Sequence, residues 1–230
     1  TKVDEDYPDN KLSGAVFEVY SDTNGDGKLD KDDTLLGEMK ELDGGVYQMS
    51  ELRYGKYLVK ETKAPTGFVL DEDVYAVSIE ENGKTYTVEN KAGVGFINAA
   101  QKGSLKIVKT SSDGKVEGFS FRVTGVDYDQ TFKTDKNGEI VIEGLRIGDY
   151  TVSEVSDKAS AGYILPVDKQ ATVKVNATAI VQMHNEFRDT PKTGDDFNLG
   201  LWVSLAALSV VGAGVLGFVG YKNRKKKKED

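Results

Sequence analysis

Apolar and polar residues alternate along short stretches of the chain, which is the pattern of β-strands with one buried face. Phe17-Glu18-Val19, Tyr75 to Ile79 and Thr172 to Val175 all follow this period of two. Asp-Gly and Asn-Gly pairs, which favour tight turns, separate such stretches and begin at Asp43, Asn82, Asp113 and Asn137. We see no sustained helical period before residue 197. This part of the chain is therefore predicted to be all-β.

The strand pattern occurs twice. Residues 52–61 match residues 145–154 at six of ten positions, and both segments keep a Leu-Arg pair, a tyrosine and a final glutamate. The first repeat covers residues 1–100 and the second covers residues 103–188, with a short joint at 101–103. A repeat of roughly 80 to 100 residues suits one β-sandwich domain. The predicted architecture is two tandem β-sandwich domains.

A different pattern follows the repeats. Residues 197–221 carry no charge over 25 positions, whereas a bilayer core needs about 20 helical residues. Residues 222–230 hold six basic residues, which places the C-terminus in the cytoplasm. We therefore predict one transmembrane helix at 197–221 and a basic cytoplasmic tail at 222–230. A buried soluble helix and a plain membrane anchor are the alternatives.

The segment before this helix separates those alternatives. It resembles the cell-wall sorting signal of Gram-positive surface proteins, usually Leu-Pro-x-Thr-Gly, and consists of Thr190, Pro191, Lys192, Thr193 and Gly194. Thr190 stands where the family has leucine. The resemblance implies that a membrane sortase cuts after Thr193 and passes its carbonyl to an amine of the peptidoglycan precursor. The expected location is the cell wall, after transient retention in the membrane.

Charge and composition exclude several classes of function. The chain has a net charge of −8, and the tail contributes +4, so the remainder carries −12. Such an acidic ectodomain argues against nucleic-acid binding. The chain has no cysteine and so no disulfide or thiolate site. A sorting signal requires export, but no signal peptide precedes Thr1, so we expect a portion of a longer protein.

Strand alternation predicts polar groups inside the apolar cores. Side chains two apart in a strand share a face, so apolar neighbours place Lys109, Glu154 and Asn185 inward in the second repeat. The same pattern places Glu61 and Asn98 inward in the first repeat. Such groups are costly to bury unless they satisfy one another.

This arrangement resembles the collagen-adhesin B-type domain, also called the SpaA-like pilin domain. The shared features are a lysine before Gly-x-x-Phe, a Tyr-x-x-x-Glu segment and a final-strand asparagine. The resemblance implies an immunoglobulin-like (prealbumin-like) sandwich in which the lysine amine attacks the asparagine amide and expels ammonia. It assigns Lys109 and Asn185 to one cross-link, Lys2 and Asn98 to the other, and catalysis to Glu154 and Glu61. The alternative is a Lys–Glu ion pair beside an ordinary asparagine.

The first repeat also contains an acidic loop with calcium-type spacing. Gly27 stands at the sixth position, where such loops turn sharply. The predicted ligands are Asp22, Asn24, Asp26, the carbonyl of Lys28, Asp30 and Asp33. Calcium is therefore the expected cofactor, in a stiffening role. The alternative is an acidic hairpin that binds no ion.

These features together predict the structural stalk of a sortase-anchored adhesin, stiffened by internal isopeptide bonds. The expected partners are a sortase, the peptidoglycan precursor and, through residues 197–221, the membrane. We expect no enzymatic activity apart from the single self-cross-linking event. A pilin subunit polymerised by a sortase and the wall anchor of an upstream enzyme are the alternatives. The adhesive ligand is not identified by the sequence.

Overall fold

A computed structural model describes residues 1–188 of the chain. Residues Thr1–Phe187 form one compact unit. Its regular structure consists of β-strands, with no helix among the described residues, so the all-β prediction is confirmed there. No helix long and apolar enough to cross a membrane occurs within residues 1–188. The sorting motif at 190–194, the predicted helix at 197–221 and the tail at 222–230 lie outside the described residues.

The first repeat contains eight strands. Its largest sheet has the order β3-β2-β6-β7, while β1 pairs with β8 and β4 pairs with β5 in two small sheets. The strands are β1 (Lys2–Asp4), β2 (Val16–Ser21), β3 (Thr34–Glu38), β4 (Lys40–Glu41), β5 (Tyr47–Gln48), β6 (Gly55–Lys63), β7 (Val74–Ile79) and β8 (Phe96–Asn98).

The second repeat contains eight further strands in two four-stranded sheets, with the orders β11-β10-β13-β15 and β12-β9-β16-β14. The strands are β9 (Lys102–Ser111), β10 (Ser120–Gly125), β11 (Tyr128–Lys133), β12 (Glu139–Arg146), β13 (Gly148–Val155), β14 (Tyr163–Ile164), β15 (Lys169–Val173) and β16 (Thr178–Phe187). No sheet of the described residues combines strands from both repeats.

Each repeat has its own hydrophobic core, and the two cores differ in completeness. The core of the second repeat joins fifteen buried residues, including Leu105, Ile107 and Phe119. The core of the first repeat joins six buried residues, including Phe17 and Phe96, with a larger fringe of half-buried apolar side chains. The second sandwich is therefore closed more tightly than the first.

Candidate functional site

The first and last strands of each repeat run parallel and side by side, and the register is the same in both repeats. In the first, Lys2 lies opposite Phe96 and Asp4 lies opposite Asn98. In the second, Lys109 lies opposite Met183, two residues before Asn185. Because side chains two apart share a face, the lysine and the asparagine enter the same core as diagonal neighbours.

The glutamate comes from the facing sheet. Glu61 on β6 pairs with Phe17 on β2, and Glu154 on β13 pairs with Phe121 on β10. Phe17 and Phe121 are buried core residues. The carboxylates therefore enter the core from the side opposite the lysine and the asparagine.

In the first repeat the three side chains form a connected and fully enclosed group. Lys2, Glu61 and Asn98 are exposed by 0%, 0% and 3%. The Lys2 amine donates to Asn98 Oδ1 and to the Phe96 carbonyl at 3.2 Å, and it lies 3.6 Å from Glu61 Oε1. The Asn98 amide nitrogen donates to both Glu61 oxygens at 3.0 and 2.9 Å. The Glu61 carboxylate thus holds the Asn98 amide nitrogen, while the Lys2 amine contacts the Asn98 amide oxygen.

The second repeat places the equivalent three side chains in one core, but within residues 1–188 the Lys109 amine forms no hydrogen bond or ion pair with Asn185 or Glu154. Asn185 donates from its amide nitrogen to Glu154 Oε1 at 2.6 Å. The Lys109 amine donates to the Thr110 carbonyl and lies 4.2 Å from the centre of the Phe119 ring. Asn185 Oδ1 and Glu154 Oε2 are buried without a hydrogen-bond partner among the described residues. Buried unpaired acceptors are unfavourable.

Burial shifts the proton affinities toward neutral side chains. Desolvation lowers the pKa of Lys2 to about 8, although the neighbouring Glu61 opposes the shift. Desolvation also lowers the pKa of Lys109 and raises the pKa of Glu154, which outweighs the hydrogen bond from Asn185. A neutral amine is a nucleophile, and a protonated carboxyl can donate a hydrogen bond to an amide oxygen. These groups therefore have the properties that amide exchange requires.

The acidic loop of the first repeat is ordered by its own backbone. Asp22 accepts hydrogen bonds from the amides of Gly25 and Gly27 at 2.7 and 3.1 Å. Asp33 accepts from the amides of Thr23 and Asp30 at 3.0 and 2.9 Å. Within residues 1–188, no three acidic, histidine or cysteine side chains converge to hold a metal ion. The loop thus has the predicted turn at Gly27, where φ is 75°.

The remaining predicted ligands also contact groups within the loop. Asn24 donates from its amide nitrogen to Asp30 at 3.1 Å, and Asp26 accepts from the amide of Lys28 at 2.8 Å. Calcium binding at these residues stays a prediction from their spacing.

Sequence reasoning missed an ion-pair cluster between the two repeats, which we call the Arg146 latch. Arg146 at the end of β12 donates to both oxygens of Asp4 at 2.7 and 2.8 Å, and to Asp6 at 3.0 Å. Its guanidinium also lies 4.9 Å from the centre of the Tyr7 ring. Lys102 adds a contact to Asp6 at 3.1 Å. The acidic pair at positions 4 and 6 was visible in the sequence, but its partner was not.

The Arg146 latch is an electrostatic contact of buried groups. Burial alone would raise the pKa of Asp4, but hydrogen bonds from Arg146 and from the amides of Asp6 and Tyr7 outweigh burial and lower it. The side chains of Asp4 and Arg146 are only 3% and 14% exposed. Asp4 follows Lys2 on β1, so the latch and the first three-residue site share one strand.

Comparison with known proteins agrees with this fold. The profile of the family SpaA, a prealbumin-like fold domain, matches residues 1–92 and again residues 103–187. No curated protein matches the chain.

Among solved structures, the Bacillus anthracis TIE protein superposes with a TM-score of 0.58 at 25% identity, over 82% of this chain and 33% of that one. The pilus adhesin SpaC of Lactobacillus rhamnosus GG superposes with a TM-score of 0.50 at 14% identity, over 82% of this chain and 31% of that one. A C-terminal fragment of SpaC superposes with a TM-score of 0.52 at 15% identity, over 83% of this chain and 97% of the fragment. The chain thus spans about a third of the TIE and full SpaC chains.

The two separate matches of the family profile together cover most of the residues that the structure describes, and they coincide with the two repeats. The neighbours share the same fold. The chain belongs to the SpaA prealbumin-like fold domain family.

Proposed function

We propose that residues 1–188 are a force-carrying stalk of a pilin-type surface protein, in which one isopeptide bond joins the first and last strands of each repeat. The observation that carries this proposal is the repetition of one arrangement. A buried lysine, glutamate and asparagine enter one core in each repeat, with the same strand register. An ordinary ion pair does not require an asparagine bonded to the glutamate in both cores.

The proposed chemistry is an amide exchange between the lysine and the asparagine. The neutral lysine Nζ attacks the asparagine Cγ, and a C–N bond forms. The glutamate relays a proton from Nζ to Nδ2, the Cγ–Nδ2 bond breaks, and ammonia leaves. The new amide nitrogen then has one hydrogen to donate.

Intact mass spectrometry of the full chain tests this proposal, with each repeat as the control for the other. The unaltered chain should be lighter than its sequence by two molecules of ammonia. The Glu154→Ala and Glu61→Ala chains should each be lighter than their own sequence by only one ammonia, and the double variant should have its full sequence mass. Glu143→Ala changes an exposed residue of β12, and this control chain should still be lighter than its sequence by two ammonia molecules.

An unaltered chain with the full sequence mass would refute the cross-links. Asn185→Ala provides a check that does not depend on the glutamate, because it removes the electrophile. Tandem mass spectrometry of a digest should then locate the branched peptide that joins Lys2 to Asn98 and should find none that contains Lys109. Loss of ammonia without branched peptides would indicate succinimide formation at an asparagine and would also contradict the proposal.

We also propose that a sortase joins Thr193 to peptidoglycan. The order of sorting motif, uncharged span and basic tail supports this assignment. Incubation with a sortase and an amine nucleophile should give a product that ends at Thr193, whereas a Pro191→Ala chain should react more slowly. A ladder of high-mass products without added nucleophile would instead favour the pilin-subunit alternative, in which chains join to one another.

Calcium binding by residues 22–33 is a separate proposal that rests on their spacing. Calcium chloride should slow amide exchange in this loop, and a chelator should reverse the effect. Asp22→Ala, which removes the first ligand, should abolish the response, while Asp43→Ala outside the loop should keep it. No change in exchange at millimolar calcium would refute the assignment.

A further inference from the structure

A side-chain amide from a loop holds the backbone next to Asn98. Asn90 lies between β7 and β8, and its Oδ1 accepts from the backbone amide of Ile97 at 2.6 Å. Its Nδ2 donates to the Ile97 carbonyl at 2.8 Å. The sheet that contains β8 has β1 as its other strand, so Asn90 pairs with β8 in the way that a second neighbouring strand would. Because both backbone groups of Ile97 are held, the next residue, Asn98, enters the core in a fixed direction.

The same amide also holds the loop that supports the glutamate. Asn90 Nδ2 donates to Asp71 Oδ2 at 2.7 Å, and the Tyr75 hydroxyl donates to the same oxygen at 2.8 Å. The backbone amide of Asp71 donates to Glu61 Oε2 at 2.9 Å. Hydrogen bonds therefore lead from the backbone beside Asn98, through Asn90 and Asp71, to the Glu61 carboxylate. Since Asn98 itself donates to Glu61, these contacts form a closed ring around the site.

The partners of Asn90 require an amide at this position. A carboxylate and a carbonyl can only accept hydrogen bonds, and a backbone N–H can only donate. The side chain of residue 90 must therefore present a donor to Asp71 and to the Ile97 carbonyl and an acceptor to the Ile97 amide. An aspartate of the same shape would place a second carboxylate against Asp71.

The second repeat can be aligned with the first at the segment that crosses the end of the site. Phe68 and Tyr163 each pair with the residue two positions after the asparagine of their own repeat. Three residues beyond Phe68 and Tyr163 are Asp71 and Pro166. Pro166 therefore takes the place of Asp71.

This replacement removes a donor from the second site. Pro166 has no backbone N–H, and Glu154 Oε2 has no hydrogen-bond partner among the described residues. The lysine amine of the second repeat contacts a backbone carbonyl, whereas the Lys2 amine contacts Asn98. Within residues 1–188, lysine and asparagine are thus in contact in the repeat that has the supporting hydrogen bonds.

We propose that Asn90 and Asp71 are positioning residues for the cross-link of the first repeat. They hold the Asn98 amide and the Glu61 carboxylate together in the orientation in which the lysine amine attacks. This inference rests on the proposed cross-linking. The new bond joins Lys2 Nζ to Asn98 Cγ, and Nδ2 leaves as ammonia, so the positioning residues are not consumed. A misplacement of about 1 Å can slow an oriented reaction about 100-fold.

The first folding of the full chain tests the proposal. The chain is held in denaturant from synthesis onward, so that it is not yet cross-linked, and is then folded at about pH 9. The pKa of Lys2 is about 8, so at that pH the amine is largely neutral in every variant. Samples quenched in acid and digested give the rate at which the branched peptide of each repeat appears in mass spectrometry.

Asn90→Ala should slow the bond of the first repeat at least about tenfold and leave the bond of the second repeat unchanged in the same molecules. Asp71→Asn keeps the backbone amide and an acceptor oxygen, so its rate should stay within about twofold of that of the unaltered chain. Asn82→Ala is the matched control, since Asn82 lies in an exposed turn of the same repeat, and it should change neither bond.

Sucrose separates positioning from a loss of folding. At about 1 M it favours the folded state, but it should not restore the rate of the Asn90→Ala chain. Restoration by sucrose, equal slowing of both bonds, or equal rates for Asn90→Ala and Asn82→Ala would each overturn the positioning role while the cross-link itself stands. Absence of the branched peptide from the unaltered chain would instead refute the cross-link, and this proposal with it.

Discussion

Replacement of Arg146 by alanine should weaken the contact between the two repeats. Arg146 makes a two-pronged contact with Asp4, and both side chains are nearly enclosed. The substitution removes the donor but leaves the Asp4 carboxylate buried. Asp4 then keeps only the amides of Asp6 and Tyr7, at 2.9 and 3.4 Å.

The size of the effect follows from those contacts. A hydrogen bond to a charged group contributes about 1.5–3 kcal/mol, and breaking a fully buried ion pair costs about 3–5 kcal/mol. Arg146 retains some exposure, and Asp4 retains two amide donors, so the lower part of this range applies. We expect the free energy of unfolding to fall by about 2–3 kcal/mol, which corresponds to a fall of roughly 8–24 °C in the thermal midpoint of a repeat of this size.

Arg53 provides a matched control, because it occupies the equivalent position in the first repeat. Its side chain is exposed and forms no ion pair within residues 1–188. Arg53→Ala should change the free energy of unfolding by no more than about 0.5 kcal/mol. Urea denaturation of the full chain and both variants, followed by circular dichroism, measures the difference. Equal effects of the two substitutions would refute the assignment of the latch.

Three further predictions concern single groups. Because the pKa of Asp4 is lowered on folding, its stabilising contribution is complete above the unfolded pKa of about 3.9 and is lost as the pH falls through the folded pKa. Urea denaturation across this pH range should show that the Arg146→Ala chain loses less free energy of unfolding than the unaltered chain. The pKa of Lys2 is lowered to about 8, so a chain kept in denaturant from its synthesis, and therefore not yet cross-linked, should release ammonia on its first folding up to about tenfold faster at about pH 9 than at about pH 7, and a flat profile would exclude the amine as nucleophile. Glu51 has a φ of 62° where Gly144 has 70°, so Glu51→Gly should stabilise the chain and Gly144→Ala should destabilise it, by about 1 kcal/mol each in urea denaturation.

The sequence was sufficient to predict which side chains enter the cores. Lys109 follows Leu105 and Ile107 at intervals of two, and Glu154 follows Tyr150 and Val152 in the same way. This local alternation survives folding, and all six side chains are buried. It also accounts for the all-β fold of the described residues.

The register of the first and last strands could not be predicted from alternation. Lys109 and Met183 lie opposite each other although 74 residues separate them in the chain. A shift of the pairing by two residues would keep every side chain on its face while moving the lysine away from Asn185. Only the packing of the whole sandwich distinguishes these registers.

The Arg146 latch escaped prediction for a related reason. Arg53 and Arg146 occupy the same position in matching sequences, yet of these two arginines only Arg146 contacts two aspartates among the described residues. A repeat in sequence establishes similar local structure, whereas the neighbour of each element depends on where the chain places it.

The proposed bonds and the Arg146 latch would respond differently to force. Since β1 and β8 are parallel, tension on the two ends of the first repeat shears this pair along its length. With bonds at Lys2–Asn98 and Lys109–Asn185, a covalent route passes through both repeats and leaves residues 3–97 and 110–184 outside it. Asp4 and Arg146 belong to those bypassed segments. The latch would then set the angle between the repeats without carrying tension, so Arg146→Ala should alter the bending stiffness of a cross-linked chain but not its resistance to extension.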